Sequence, residues 1–158
     1  MRNLFFLLLL LFLTLSCAQN SAPSDPSSGS AASVSRAEAE PDVYEAVFRY
    51  QFDHNASAIQ QRAGKYCLSL PGERMPSAQF LQRFGNHQPP VVAADQCERK
   101  SGQGLFFRIQ RLDWRKDSEV WVRGGYWEGN LSASAEMFLV RKENGKWAVK
   151  GARMEGIS

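Results

Sequence analysis

Asn144 and Gly145 constrain this chain more than any other pair of residues. Asn-Gly supplies the positive φ that both central positions of a type I′ hairpin turn demand. The runs on either side, residues 133–142 and 146–154, are rich in β-branched and aromatic residues and are predicted to be its two strands. Upstream, turn-forming groups at 115–118 and 128–130 set off two more such runs, residues 105–114 and 119–128. Four runs in succession predict an antiparallel meander.

Alternation assigns the faces. Leu105, Phe107 and Ile109 share one side, and strict alternation carries Asp113 with them. Phe106, Arg108, Gln110, Leu112 and Trp114 take the other side. In the second run Val120, Val122, Gly124 and Tyr126 oppose Trp121, Arg123, Gly125 and Trp127. With aromatics on both faces, one side is expected under a helix and the other only partly covered. Glycine weakens a flat strand, so Gly124-Gly125 predicts a bulge or a bend.

The N-terminus is a targeting segment. Arg2 precedes an apolar run, residues 4–15, broken only by Thr14. It is too short to span a bilayer and it ends in small residues, as a signal peptide does. Leu13-Thr14-Leu15-Ser16-Cys17 resembles the lipobox of bacterial lipoproteins, which implies a signal peptide over 1–17 and lipidation at Cys17. The alternative is ordinary cleavage after Ala18 and release as a secreted protein. Residues 18–41 are Ser-, Ala- and Pro-rich with almost nothing large to bury, and are expected to be a disordered tether. One domain remains, residues 42–158, at the membrane-anchored cell envelope or periplasm.

Export bears on the cysteines. Cys67 and Cys97 are the pair left in the folded part, and exported pairs of this kind are usually bridged; two free buried thiols are the alternative. Neither has a histidine at ligand spacing, so no metal is expected. A net charge of +3 is too mild to point to nucleic acid.

Asp42-Val43-Tyr44-Glu45 has the form of a capping box opening a helix that runs to His54, with Tyr44, Val47, Phe48 and Phe52 as its apolar stripe. Residues 65–70 alternate as a strand and stop at Pro71-Gly72. Ser77 caps a second helix that buries Phe80, Leu81 and Phe84 and ends at Gly85-Asn86. Residues 91–94 are extended after Pro89-Pro90.

The fold class is therefore α+β, with N-terminal helices packed on a curved, mainly antiparallel sheet that ends in the four-stranded meander. Residues 42–52, 76–84 and 146–149 together resemble the nuclear transport factor 2-like superfamily of cystatin-like α+β domains. That superfamily includes enzymes, small-molecule binders and association modules, so the resemblance implies a fold and no single function.

Chemistry is sparse. Asp113 on the inward face is the candidate general acid or base of a small-pocket enzyme, with Glu128, His54 and His87 weighed beside it. Turn and helix-end roles account for Asp113 and His54 equally well, and His87 is expected in solvent. No phosphate loop, metal motif or cofactor signature is present, and no catalytic residue or cofactor is assigned. The reading favoured instead is a binding or association module. Its candidate contacts are Arg108, Trp121, Arg123 and Trp127, with a protein partner or small ligand and the membrane as its associations. Half-buried packing with snorkelling arginines is the alternative for these residues.

Overall fold

The computed structural model describes residues 27–57, 59–99, 104–129 and 132–157. Cys17, the signal segment and the first part of the expected tether lie outside these residues. The protein is α+β. A long helix α1 (Ser27–His54) leads to a short strand β1 (Tyr66–Ser69), a one-turn helix α2 (Ala78–Leu81) and a short strand β2 (Val91–Ala93). Four long strands follow: β3 (Leu105–Lys116), β4 (Glu119–Gly129), β5 (Ser132–Glu143) and β6 (Lys146–Ile157). The six strands form one open sheet in the order β2-β1-β3-β4-β5-β6. β1 is parallel to both β2 and β3, and β3 to β6 are the antiparallel meander.

Asn144 and Gly145 both take positive φ, 51° and 80°, as their hairpin requires. The Ser77 hydroxyl accepts a hydrogen bond from the Phe80 N–H at 3.1 Å and caps α2. Cys67 and Cys97 form a disulfide with their Cα atoms 6.3 Å apart. Such a bridge fits an oxidising, extracytoplasmic compartment. Among the described residues no helix is long and apolar enough to cross a membrane.

Two expectations are corrected. The helix begins at Ser27 rather than at Asp42, so residues 27–41, assigned to the tether, are helical. Pro41 sits inside it and donates no amide hydrogen bond, which is why the segment reads as a helix start. The part of the helix before Pro41 makes tertiary contacts. Arg36 Nε lies 2.9 Å from Asp117 Oδ1, and its guanidinium covers the Trp114 ring at 5.8 Å. Asp42 pairs with Arg83 at 2.7 Å instead of capping.

The second correction concerns Asp113. Ile109 pairs with Gly124 and Arg111 with Arg123, so β3 holds one extra residue, Gln110. This bulge reverses the alternation beyond it. Leu112 and Trp114 turn inward, opposite Val122 and Val120, and pack on the core. Asp113 turns outward opposite Trp121.

The core lies between α1 and one face of the sheet. Val47 and Phe48 of α1 are fully buried, as are Phe107, Val120, Val122, Phe138 and Val140. Phe52 meets the Phe107 ring at 5.0 Å. The face bearing Val120 is thus the covered one, and the face bearing Trp121 is turned away from α1.

Candidate functional site

The uncovered face carries an open cleft of about 350 Å³ at the junction of β1, β3 and β4. Register explains its make-up. Cys67 pairs with Phe106 and Ser69 with Arg108 across β1 and β3, while Phe106 pairs with Trp127 across β3 and β4. The Phe106 and Trp127 rings meet edge to face at 5.3 Å. Arg108 and Arg99 line the same cleft, with Ser69 and Glu73. Among the described residues, no carboxylate lies within ion-pair distance of either guanidinium. Arg99 follows Cys97 of the disulfide by two residues.

Arg108 and Trp127 are therefore brought together, with Phe106 and Arg99 added. Trp121 and Arg123 share the face but lie outside the cleft. Trp121 is half-buried opposite Asp113 and Leu139, and Arg123 Nε is held 3.0 Å from Glu155 Oε2. A second cleft of about 410 Å³, between α1 and α2, contains Arg74, Arg83, Tyr44 and Phe80. Its arginines are engaged already: Arg83 bonds Asp42 and Glu45, and Arg74 donates to the Pro71 carbonyl.

The candidate acids and bases are scattered. Asp113 is half-exposed and bonded to Arg115 at 2.8 Å. His54 stacks on Tyr50 at 4.1 Å between ring centres, at the exposed end of α1. His87 is not in solvent: it is half-buried against Phe52 and Tyr66, with Nδ1 2.8 Å from the Pro89 carbonyl. Glu128 is buried and accepts hydrogen bonds from the Ser57 hydroxyl and the Ile59 N–H, tying the segment after α1 to the end of β4. No group of metal-ligating side chains occurs among the described residues.

Sequence reasoning missed a polar cluster on the covered face. Gln51, Ser134 and Glu136 are buried there beside Tyr126. The Tyr126 N–H donates to Ser134 Oγ at 3.2 Å, and that hydroxyl donates to Glu136 Oε1 at 2.9 Å. The signal was available. Gln51 continues the stripe of Val47 and Phe48, and Glu136 alternates with Phe138 and Val140. A polar residue at such a position marks a buried group that needs a reason.

Burial pushes the Glu136 carboxyl above the usual carboxylate range, partly offset by the Ser134 hydrogen bond. The folded protein thus holds this proton more tightly than the unfolded chain does. Stability falls as pH rises from the unfolded value through the raised folded one, and the deficit persists above it. Glu136→Gln is accordingly expected to raise Tm at pH 7 and to leave it unchanged in acid. Melting curves at both pH values check this.

No protein-family model, curated protein or solved structure matches the chain.

Proposed function

We propose that this is an exported, non-catalytic binding protein. A nuclear transport factor 2-like domain is held at the membrane through a lipid on Cys17, and the cleft of its uncovered face takes anionic ligands with an aromatic or apolar body. One observation carries the reading: Phe106 and Trp127 share a cleft with two guanidiniums, Arg99 and Arg108, that have no carboxylate partner among the described residues. Arginine presents a planar fork that suits carboxylate or phosphate oxygens, and the rings supply apolar contact area. Glu73 also lines the cleft, so two guanidiniums and one carboxylate leave its lining with a net positive charge. Export is supported by the disulfide and by the apolar run before Cys17.

The test uses phenyl phosphate, phenol and inorganic phosphate as probes of tryptophan fluorescence. Phenyl phosphate is expected to bind more tightly than either half, and more weakly as salt rises. Arg108→Ala is expected to weaken it about tenfold or more and to change stability by under about 0.5 kcal/mol, since Arg108 is exposed. Trp121→Ala, outside the cleft, is expected to leave the affinity unchanged. Equal loss in both variants contradicts the assignment. For the anchor, Cys17→Ser is expected to release the protein from the membrane fraction or to block its processing. Normal maturation with retention in the membrane contradicts it.

A further inference from the structure

The uncovered face continues beyond the arginine cleft, and the sheet register shows how. Arg108 pairs with Gly125. The β4–β5 register runs unbroken from Gly124 and Glu136 to Trp127 and Ala133, which sets Ala135 beside Gly125, and Ala135 pairs with Gly156 on β6. Residues paired across strands point to the same face of a sheet. Past Arg108, this rung therefore offers the uncovered face nothing larger than a methyl group. A Cβ added at Gly156 would meet nothing within 4 Å, so the β6 end of the strip is open space. From Arg108 to Gly156 the strip crosses three strand spacings, roughly 15 Å.

The neighbouring rung is charged. The bulge at Gln110 brings Arg111 directly opposite Arg123, and Met137 of β5 and Arg153 of β6 complete the row. Like charges placed directly opposite one another on a sheet repel. Arg111 has no ion pair among the described residues. A single carboxylate serves the other two: Glu155 Oε2 lies 3.0 Å from Arg123 Nε, and its Oε1 lies 3.7 Å from Arg153. Three guanidiniums against one carboxylate leave this row with two positive charges in excess. The cleft at the other end of the strip adds Arg99 and Arg108 against Glu73. The positive charge thus runs as a line from the cleft to the β6 edge.

We propose that the strip and its arginine row extend the cleft into a binding lane for an acidic polysaccharide. The inference rests on the reading of the cleft as an anion site and names the class of ligand that it takes. A line of guanidiniums matches a chain that carries a carboxylate or sulfate on each repeat, because each fork accepts one such group. A floor of glycine and alanine lets a broad sugar ribbon lie close to the sheet. At the cleft end, Phe106 and Trp127 offer flat apolar surface to the C–H face of a sugar ring. A sheet face has its backbone N–H and C=O groups paired within the sheet, so it gives a peptide no main-chain partners. The oxidising compartment that the disulfide fits is one in which such polysaccharides occur and nucleic acid is scarce.

The test titrates the full chain with galacturonic acid, its linear hexamer, the fully methyl-esterified hexamer and oligothymidylate of equal charge, following tryptophan fluorescence. The charged hexamer is expected to bind about tenfold or more tightly than the monomer, and to weaken more steeply than the monomer as salt rises. The esterified hexamer, with the same chain and no charge, is expected to lose that gain, and oligothymidylate to bind more weakly than the charged hexamer. Arg153→Ala, at the far end of the lane, is expected to weaken the hexamer about threefold or more and to leave phenyl phosphate in the cleft unchanged. Gly156→Phe places a ring in the open space at the β6 end and is expected to remove the gain from chain length in the same way. Melting curves confirm that both variants are folded. A hexamer no tighter than the monomer, an esterified hexamer as tight as the charged one, oligothymidylate as tight as the hexamer, or an Arg153→Ala protein with unchanged hexamer affinity would each overturn the proposal. If phenyl phosphate still binds in those cases, the lane fails and the cleft stands; if neither phenyl phosphate nor galacturonic acid binds, both fall.

Discussion

Adding one methyl group at Gly125 is expected to destabilise the protein by on the order of 3 kcal/mol. A Cβ there would sit 2.0 Å from the Ser134 carbonyl oxygen and 2.8 Å from its carbon. Both atoms are backbone of the adjoining strand, so no side chain can swing aside. β4 and β5 would have to separate where Ser134 accepts from Tyr126 and donates to Glu136. The loss of those hydrogen bonds adds to the steric cost. Gly151→Ala is the control, because a Cβ at Gly151 meets nothing within 4 Å. It is expected to change stability by under about 0.5 kcal/mol. Denaturant melts of both variants decide the matter, and equal stabilities would show that the two strands approach less closely at Gly125 than described.

Removing the disulfide is expected to cost about 3–4 kcal/mol, because it closes a 30-residue separation in the unfolded chain. The effect on binding should be distinct from the effect on stability. Cys67 lies on β1 beside Phe106, and Arg99 is two residues beyond Cys97. The bridge therefore fixes the chain two residues before Arg99, which lines the cleft with Arg108. In Cys67→Ser/Cys97→Ser, the folded fraction at low temperature is expected to bind phenyl phosphate more weakly while Arg108 and Trp127 remain in place. Thermal melts paired with titrations well below Tm separate the two effects. A double variant as stable as the parent would remove the bridge from the account of the fold.

The four long strands, the Asn144-Gly145 turn, the Ser77 cap and the cysteine pairing were all legible, because each is written in local chemistry. Turn residues need particular φ, a cap needs a short side-chain oxygen, and an exported pair of thiols oxidises. What was not legible depended on register or on distant contacts. Gln110 gives no sign of being the extra residue in β3, and without it Asp113 is assigned to the wrong face. The mid-strand glycines did mark the place, since Gly124 pairs with Ile109 just before the bulge, but the inserted residue is in the partner strand. The first half of α1 is helical although Pro41 and the small residues before it argue otherwise, because Arg36 and Ala39 find partners on the meander and in the core.

The candidate site divides along the same line. Arg108 and Trp127 were legible as members of an aromatic and basic face. Phe106 and Arg99 were not, since their place depends on β1 pairing parallel to β3 and on the bridge to Cys97. Trp121 and Arg123 were expected at the same contact surface. The structure sets them apart, with Arg123 engaged by Glu155. Gln51 and Glu136 were overlooked, although each is a polar residue at an apolar position of its own periodicity.

A ligand is expected in the cleft lined by Phe106, Trp127 and the two arginines. Intermolecular nuclear Overhauser effects from the ring protons of bound phenyl phosphate test it most directly. Contacts are expected to the Trp127 indole and the Phe106 ring, and none to Trp121. Contacts to Tyr44 and Phe80, in the cleft between the helices, would contradict it.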